Sequence, residues 1–370
     1  MKRLKLGMVG GGQGAFIGAV HRIASRIDGR FDLVAGALSS DPARAAKSAA
    51  ELGIERSYDS YESMAVAEAA RVAGIDAVAI VTPNHMHAGP VIAFLNAGIH
   101  VICDKPLAAT AEEAAAIQTA VGTSKARFFL THNYTGYPLI RQAREMVANG
   151  DLGDLRIIQA EYAQDWLTEA VETSNKQADW RTDPSRAGAG CIGDIGTHAF
   201  NLAAFVSGMV PNELSAELSS FVSGRQVDDN AFIRLRYNNG ARGTIWSSQV
   251  AVGCENGLKL RVYGNKGGLE WSQENPNQMA FARFGEPKQI ITRGGAGLGS
   301  GAGRWTRIPP GHPEGYLEGF ANLYNDIADI ISGANDNGLV PDLSAGIDGM
   351  WFIASCLESS QADGAWVARS

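Results

Sequence analysis

His100-Val-Ile-Cys-Asp-Lys-Pro-Leu107 runs an apolar stretch straight into a charged pair, and its reading decides the fold. Val101 to Cys103 have the composition of a strand buried on both faces of a parallel sheet. Pro106 ends that strand because proline offers no N–H to the ladder. Lys105 therefore stands at a strand's carboxyl end. In open α/β sheets ligands bind in the crevice outside those ends, so an ammonium held there faces whatever the sheet binds. A lysine in a surface turn is the plainer alternative, since lysines are normally exposed. The segments on either side weigh between the two.

Upstream, Lys5 to Val9 is a short apolar strand, followed by Gly10-Gly11-Gly12-Gln13-Gly14-Ala15-Phe16-Ile17-Gly18 and a helical stretch from Ala19 to Ile27. Strand, glycine turn and helix come in the order a dinucleotide site needs: glycines let the backbone approach a pyrophosphate, and the helix amino end offers N–H groups and partial positive charge. Gly10, Gly12 and Ala15 fit G-x-G-x-x-A, while Gly18 is the other candidate for the closing small residue. Gly10, Gly12, Gln13, Gly14 and Ala15 are the candidate pyrophosphate contacts. A second strand, Leu33 to Leu38, ends in Ser39-Ser40-Asp41, where an acidic residue would select NAD by binding both ribose hydroxyls. Asp41 comes late for that, and Ser40 or Asp41 is equally a cap for a helix beginning near Pro42. No arginine follows the strand directly, although Arg44 is within a helical turn of Asp41. The reading leans to NAD over NADP, with Ser39, Ser40 and Arg44 as the phosphate site in the second case.

Ala77 to Val81 is a third strand, ending in Thr82-Pro83-Asn84-His85-Met86-His87, and a helix over Ala88 to Ala97 leads through Gly98 back to the opening stretch. Thr110 to Val121 reads as a helix and Phe128 to Thr131 as a strand ending in His132-Asn133-Tyr134. This alternation defines a doubly wound nucleotide-binding domain over residues 1–134. From residue 135 the pattern changes. After a helix over Tyr137 to Asn149, candidate strands at Leu155 to Tyr162, Glu213 to Val222, Ala231 to Tyr237, Ala241 to Val250, Leu258 to Tyr263 and Gly268 to Trp271 predict a large, mostly antiparallel open sheet in an α+β domain over 135–370. Arg293 to Gly303 is expected to be a mobile loop, and Glu314 to Ile331 and Leu343 to Ser360 are helical.

Within this half, Gly193-Asp194-Ile195-Gly196-Thr197-His198 places an acid and an imidazole four apart, on one face if the segment is helical. A capping aspartate with a hydrogen-bonded core histidine is the structural alternative. A metal pair is set aside because no further ligand motif accompanies it. Trp166 and Trp180 taken singly read as core aromatics, but Asp165-Trp166 and Asp179-Trp180-Arg181 put aromatics and charges together in polar surroundings, which suits the apolar faces and polar edges of sugar rings.

Composition limits the partners. The 370 residues carry 32 basic and 39 acidic side chains for a net charge of −7, with no basic block. Nucleic acid and anionic membrane are thereby disfavoured, and a small molecule is the expected ligand. No apolar run reaches the length of a membrane span and no signal-peptide pattern opens the chain, so a cytoplasmic protein is expected. Cys103, Cys191, Cys254 and Cys356 are isolated and indicate neither a disulfide framework nor a zinc site.

Taken together, the glycine turn, Thr82-Pro83-Asn84-His85-Met86-His87, Asp104-Lys105-Pro106 and Gly193-Asp194-Ile195-Gly196-Thr197-His198 resemble the motifs of the Gfo/Idh/MocA oxidoreductases over essentially the whole chain. Asp104 departs from the family's usual Glu-Lys-Pro, and the extended loop Gln13 to Gly18 departs from its usual turn. Gln164-Asp165-Trp166, Trp180-Arg181 and Val227-Asp228-Asp229 look most like the levoglucosan and related pyranose dehydrogenases of that family. The resemblance implies an NAD(P)-dependent dehydrogenase of a sugar, glycoside or cyclic polyol. Lys105, Asp194 and His198 would surround the reacting hydroxyl. Thr82, Pro83, Asn84, His87 and Lys105 would line the cofactor cleft, with Arg181 at its nicotinamide end. Asn133, Tyr134, Trp166 and Trp180 would join Asp194 and His198 around the substrate. His198 and a neutral Lys105 are both open as the base. The resemblance also implies a homodimer or homotetramer through the C-terminal sheet. A cofactor-binding regulatory member, and a glycoside-cleaving enzyme that retains its NAD, are the competing functions.

Overall fold

Short apolar runs punctuated by glycine and followed by helical stretches can bury both strand faces only by winding back and forth over one sheet. The computed structural model describes residues 3–170 and 176–369, with backbone alone for Lys176 and Gln177. Its first sheet consists of β1 (Leu4–Gly10), β2 (Phe31–Ala37), β3 (Arg56–Ser57), β4 (Ala77–Val81), β5 (His100–Cys103) and β6 (Phe128–Leu130), in the order β3-β2-β1-β4-β5-β6. Every pairing in it is parallel. The strand order reverses between β1 and β4, so the crevice at their carboxyl ends is where such a sheet binds its ligand. β4 is buried throughout, as expected of a strand covered on both faces.

The second sheet comprises β7 (Leu155–Ala163), β8 (Glu213–Ser219), β9 (Asn230–Arg236), β10 (Arg242–Ser248), β11 (Gly257–Gly264), β12 (Gly267–Ser272), β13 (Gln278–Arg283), β14 (Gln289–Thr292) and β15 (Val367–Ala368), ordered β14-β13-β12-β11-β7-β10-β9-β8-β15. It is antiparallel except where β10 pairs with β7 in parallel. Ile158, Ala160, Tyr162, Leu260 and Val262 are buried on one face. The alternate positions form an open face on which Phe232 and Ile157 are exposed and Lys259 pairs with Glu161 at 2.9 Å. β3, β13, β14 and β15 are additions to the strands read from sequence, each short or flanked by polar turns that blur its alternation.

Two features differ from the sequence-based expectation, the first in how the chain is divided. The residues fall into two compact units, Met1–Gly136 with Tyr316–Ile347, and Tyr137–Gly315 with Asp348–Ser370. The break lies close to that expected after residue 134, but the C-terminal part is not one continuous domain. Helix Tyr316–Ile331 returns to the first unit because its Phe320, Tyr324, Ile327 and Ala328 complete the core built by Leu6, Met8, Val20, Phe31 and Phe129. The second correction is the glycine-rich stretch Arg293 to Gly303, which is anchored rather than loose. Arg293 is buried and bonds Asn277 Oδ1 at 2.7 Å and the Ile308 carbonyl at 3.0 Å. The Gly299 N–H reaches Gln142 Oε1 at 2.7 Å. Glycine there serves contact: a Cβ on Gly299 would lie 2.0 Å from Glu145 Oε2.

Candidate functional site

In the first unit the candidate residues gather at the carboxyl ends of the strands. Gly10 and Gly11 have φ of +77° and +73°, values a side chain resists, and carry the chain from β1 to helix Phe16–Ile27. The register left open by the sequence is settled by packing. A Cβ on Gly18 would lie 2.4 Å from the Gly11 Cα, so Gly18 is the closing small residue and Ala15 is the helix N-cap. Gly12 is pressed against the Leu38 carbonyl, and the Gln13 N–H bonds Ser48 Oγ at 3.2 Å. Gln13 also donates through Nε2 to the Glu51 carboxylate at 2.6–2.7 Å, which binds the turn to helix Pro42–Leu52. Gly14 has open space around its Cα.

The helix that follows has no side-chain cap and no acid in its first turn. Helices Pro42–Leu52, Tyr61–Ala69 and Ala111–Thr123 are capped by Asp41, Ser60 and Thr110. An amino end left without a carboxylate or hydroxyl fits a ligand that brings its own anionic oxygens. At the end of β2, Ser39 is half-buried, Ser40 is exposed, and Asp41 Oδ1 accepts the Arg44 N–H at 2.8 Å. Asp41 is therefore a helix cap.

β4 delivers Thr82, Pro83 and Asn84. Thr82 Oγ1 donates to the Met86 carbonyl at 3.1 Å, Pro83 is half-buried, and Asn84 is buried. His87, expected to line the cleft, is instead fully buried beneath it. Its Nδ1 stands 2.9 Å from the Pro106 carbonyl oxygen and its Nε2 3.0 Å from that of Thr82. Burial holds its pKa below the ordinary imidazole value, with the charge of Asp104 pulling the other way. Asp104, in place of the longer glutamate, accepts from Thr131 Oγ1 at 2.8 Å.

Lys105 follows half-buried, two residues beyond β5, and His132 stands two residues beyond the neighbouring strand β6. Burial, and secondarily the Lys105 charge, pushes the pKa of His132 down to about 3, so this imidazole is neutral at the lysine's side. His132 is one residue that sequence reading passed over as a site. The only signal was its place beside Asn133. Asn133 is buried with its Nδ2 lacking a hydrogen-bond partner among the described residues, a donor that fits a polar ligand. Tyr134 is buried with its ring centroid 6.4 Å from that of Tyr316, so it packs the interior instead of offering a stacking face.

In the second unit Asp194 lies in a π-helical turn, Ile192–Gly196, that runs into helix Thr197–Ser207. The four-residue spacing to His198 is thus not one of a regular α-helix. The turn is held from outside: Asp228 accepts the N–H groups of Gly190 and Ile192, each at 2.8 Å. A Cβ on Gly190 would meet the Asp228 carbonyl at 1.9 Å, which explains the glycine. Asp194 Oδ2 accepts from Gln249 Nε2 at 2.9 Å and pairs with Arg181 Nε at 3.2 Å. The Arg181 guanidinium lies 4.3 Å from the ring centre of Trp180. Trp166 donates through Nε1 to Gln164 Oε1 at 3.0 Å and keeps part of its ring exposed. His198 is 8% exposed, its ring 6.1 Å from that of Tyr162. Gln249 was not found from sequence, where a glutamine after a strand carries no motif.

A parallel sheet with a glycine turn at its switch point defines a nucleotide-binding α/β protein, here with a second unit that carries an acid, an imidazole and aromatics. The chain belongs to the GFO/IDH/MocA oxidoreductase family: residues 4–132 match its NAD-binding Rossmann fold and 140–270 its C-terminal domain. It is similar to an uncharacterized oxidoreductase, YfiI, of Bacillus subtilis, 35% identical over 99% of this chain and 97% of that one. It is 30% identical to the levoglucosan dehydrogenase of Pseudarthrobacter phenanthrenivorans over 76% of this chain and 77% of that one. The crystal structure of an inositol dehydrogenase homologue from Azotobacter vinelandii, complexed with NADH and myo-inositol, superposes with a TM-score of 0.91. It is 36% identical, with 100% of this chain and 98% of that one covered.

Proposed function

We propose that the protein is a dehydrogenase that oxidises a secondary ring hydroxyl of a neutral sugar, glycoside or cyclic polyol, with NAD preferred over NADP. The first unit holds the dinucleotide: Gly10, Gly12, Gln13, Gly14 and Ala15 at the pyrophosphate, Ser39 and Ser40 at the ribose, and Thr82, Pro83, Asn84 and Lys105 toward the nicotinamide. His87 acts from below by fixing the two strand ends. Held by these residues, a nicotinamide would supply the acceptor for the hydride lost from the carbinol carbon.

The chain's own groups do the rest. His198 accepts the hydroxyl proton, a role an imidazole in its neutral form can fill. The Lys105 ammonium stabilises the negative charge that develops on that oxygen. Asp194 holds the neighbouring hydroxyl, Asn133 offers it a buried donor, and Trp166 and Trp180 cover the flat faces of the ring. The observation that carries a neutral substrate is the pairing of Arg181 with Asp194 at 3.2 Å. A guanidinium already bound to a carboxylate makes a poor clamp for a second, so a hydroxy acid fits less well.

The exposed Phe232 and Ile157 on the open sheet face, beside paired charges, support a homodimer or homotetramer formed through that face. The test is incubation with glucosides, levoglucosan, inositols and 2-hydroxy acids, each with NAD and NADP, following nicotinamide reduction and identifying products by NMR. A ketosugar or ketopolyol is expected. Turnover confined to the acids would overturn the reading. NAD retained through dialysis without net reduction would point to glycoside cleavage, and no turnover at all to a regulatory protein.

A further inference from the structure

Gln249 is the residue immediately after β10 and is 3% exposed. Its backbone N–H donates to the Asp229 carbonyl at 2.8 Å, and its own carbonyl accepts the Leu167 N–H at 3.1 Å. Its side chain donates to Asp194 Oδ2 at 2.9 Å. Asp229 is fixed in turn: its carboxylate accepts the N–H groups of Phe221 and Val222 at 2.9–3.0 Å and pairs with Arg225 at 3.3 Å. One buried residue thus joins an immobile part of the sheet to the segment that carries Trp166 and to the carboxylate of Asp194.

We propose that Gln249 is a positioning residue that orients the Asp194 carboxylate and fixes its spacing from the Trp166 platform, so that hydroxyl readout and ring stacking act on one substrate pose. This rests on the reading of Asp194 as the group that holds a substrate hydroxyl. A neutral amide is suited to the task. It donates a charge-assisted hydrogen bond to Oδ2, the oxygen that Arg181 Nε also approaches, and leaves the site's net charge unchanged. Methionine keeps the volume without the donor, and glutamate keeps the shape but opposes the carboxylate. Losing a hydrogen bond to a charged group costs about ten- to a hundredfold when its geometry matters to the transition state.

The experiment compares Gln249→Met and Gln249→Glu with the wild type, using the most rapidly oxidised of the glucosides, levoglucosan and inositols. Both variants should lose about ten- to a hundredfold in kcat/KM for the sugar, while KM for NAD stays within about twofold. In an Asp194→Ala background, which removes the acceptor, Gln249→Met should cost nothing further, since its effect runs through that side chain. Equal losses in both backgrounds, or wild-type kcat/KM in Gln249→Met while Asp194→Ala is crippled, would overturn the proposal alone. Loss of the folded state in both variants would also overturn it, by making Gln249 a purely structural residue. A fully active Asp194→Ala, or wild type inert toward every sugar and polyol, would instead remove the functional reading on which it rests.

Discussion

His87 grips Pro106 through the backbone, its Nδ1 2.9 Å from the proline carbonyl oxygen, while its other nitrogen faces Thr82. The ring therefore ties the end of β4 to the turn that carries Lys105. A neutral imidazole has one N–H, so it donates to one carbonyl and only faces the other. Replacing His87 by leucine removes that donor and should cost about 1–3 kcal/mol in urea unfolding. An unchanged unfolding midpoint would show that the tie contributes nothing.

Gly18→Ala tests the turn. Its Cβ would lie 2.4 Å from the Gly11 Cα and 2.7 Å from the Gly11 oxygen, and neither backbone atom yields cheaply. A loss of about 1–3 kcal/mol in stability and weaker NAD binding by calorimetry are expected. Gly14→Ala meets no neighbouring atom and should cost only about 1–2 kcal/mol for its φ of +75°. Equal effects at the two positions would count against the packing argument.

Lys105→Ala should lower turnover by about two or more orders of magnitude while NAD affinity stays within about tenfold, because the charge is needed most as the oxygen becomes anionic. Stopped-flow turnover and equilibrium NAD binding together decide this. Unchanged turnover would remove Lys105 from the chemistry.

His198→Asn should abolish the acidic limb of the kcat/KM profile for sugar oxidation, where a base must be neutral to accept a proton. If the limb persists in a variant that still turns over, another group is the base.

His132 gives stability a pH dependence. Its folded pKa is depressed to about 3 by burial and by Lys105, so the unfolded chain binds the proton first as pH falls below about 6.5. Its contribution is therefore complete above that value and shrinks toward pH 3, at roughly 1 kcal/mol per pH unit. His132→Gln should consequently be less destabilising relative to wild type at pH 5 than at pH 7.5. A difference in unfolding free energy equal at both pH values would refute the depressed pKa.

The strands of the first sheet were legible because each is a short apolar run that stops at a glycine, a proline or a polar cluster. The same stops located Lys105, Thr82 and Asn133, since a carboxyl-end residue is marked by the strand before it. Asp194 and His198 stood out by type and spacing, but the π-turn between them did not. It depends on Asp228 holding the Gly190 and Ile192 N–H groups from 36–38 residues away. Gln249 was hidden for the same reason, as its role comes from a partner distant in sequence, while the depressed pKa of His132 comes first from a burial that its place after a strand does not reveal. His87 was given the wrong surroundings because a motif histidine beside a cleft and one buried beneath it read alike. The return of Tyr316–Ile347 was invisible because an amphipathic helix does not say which core its apolar face will complete.

That return has a consequence for synthesis on the ribosome. The segment up to Gly136 already holds all six strands of the parallel sheet, yet the helix that supplies Phe320, Tyr324 and Ile327 to their core is made only after the whole of Tyr137–Gly315. Until then the nascent sheet and helix Phe16–Ile27 present an unfilled apolar surface, the kind that chaperones shield during vectorial folding. The nucleotide-binding unit therefore cannot complete its core before the long Tyr137–Gly315 segment of the other unit has been translated.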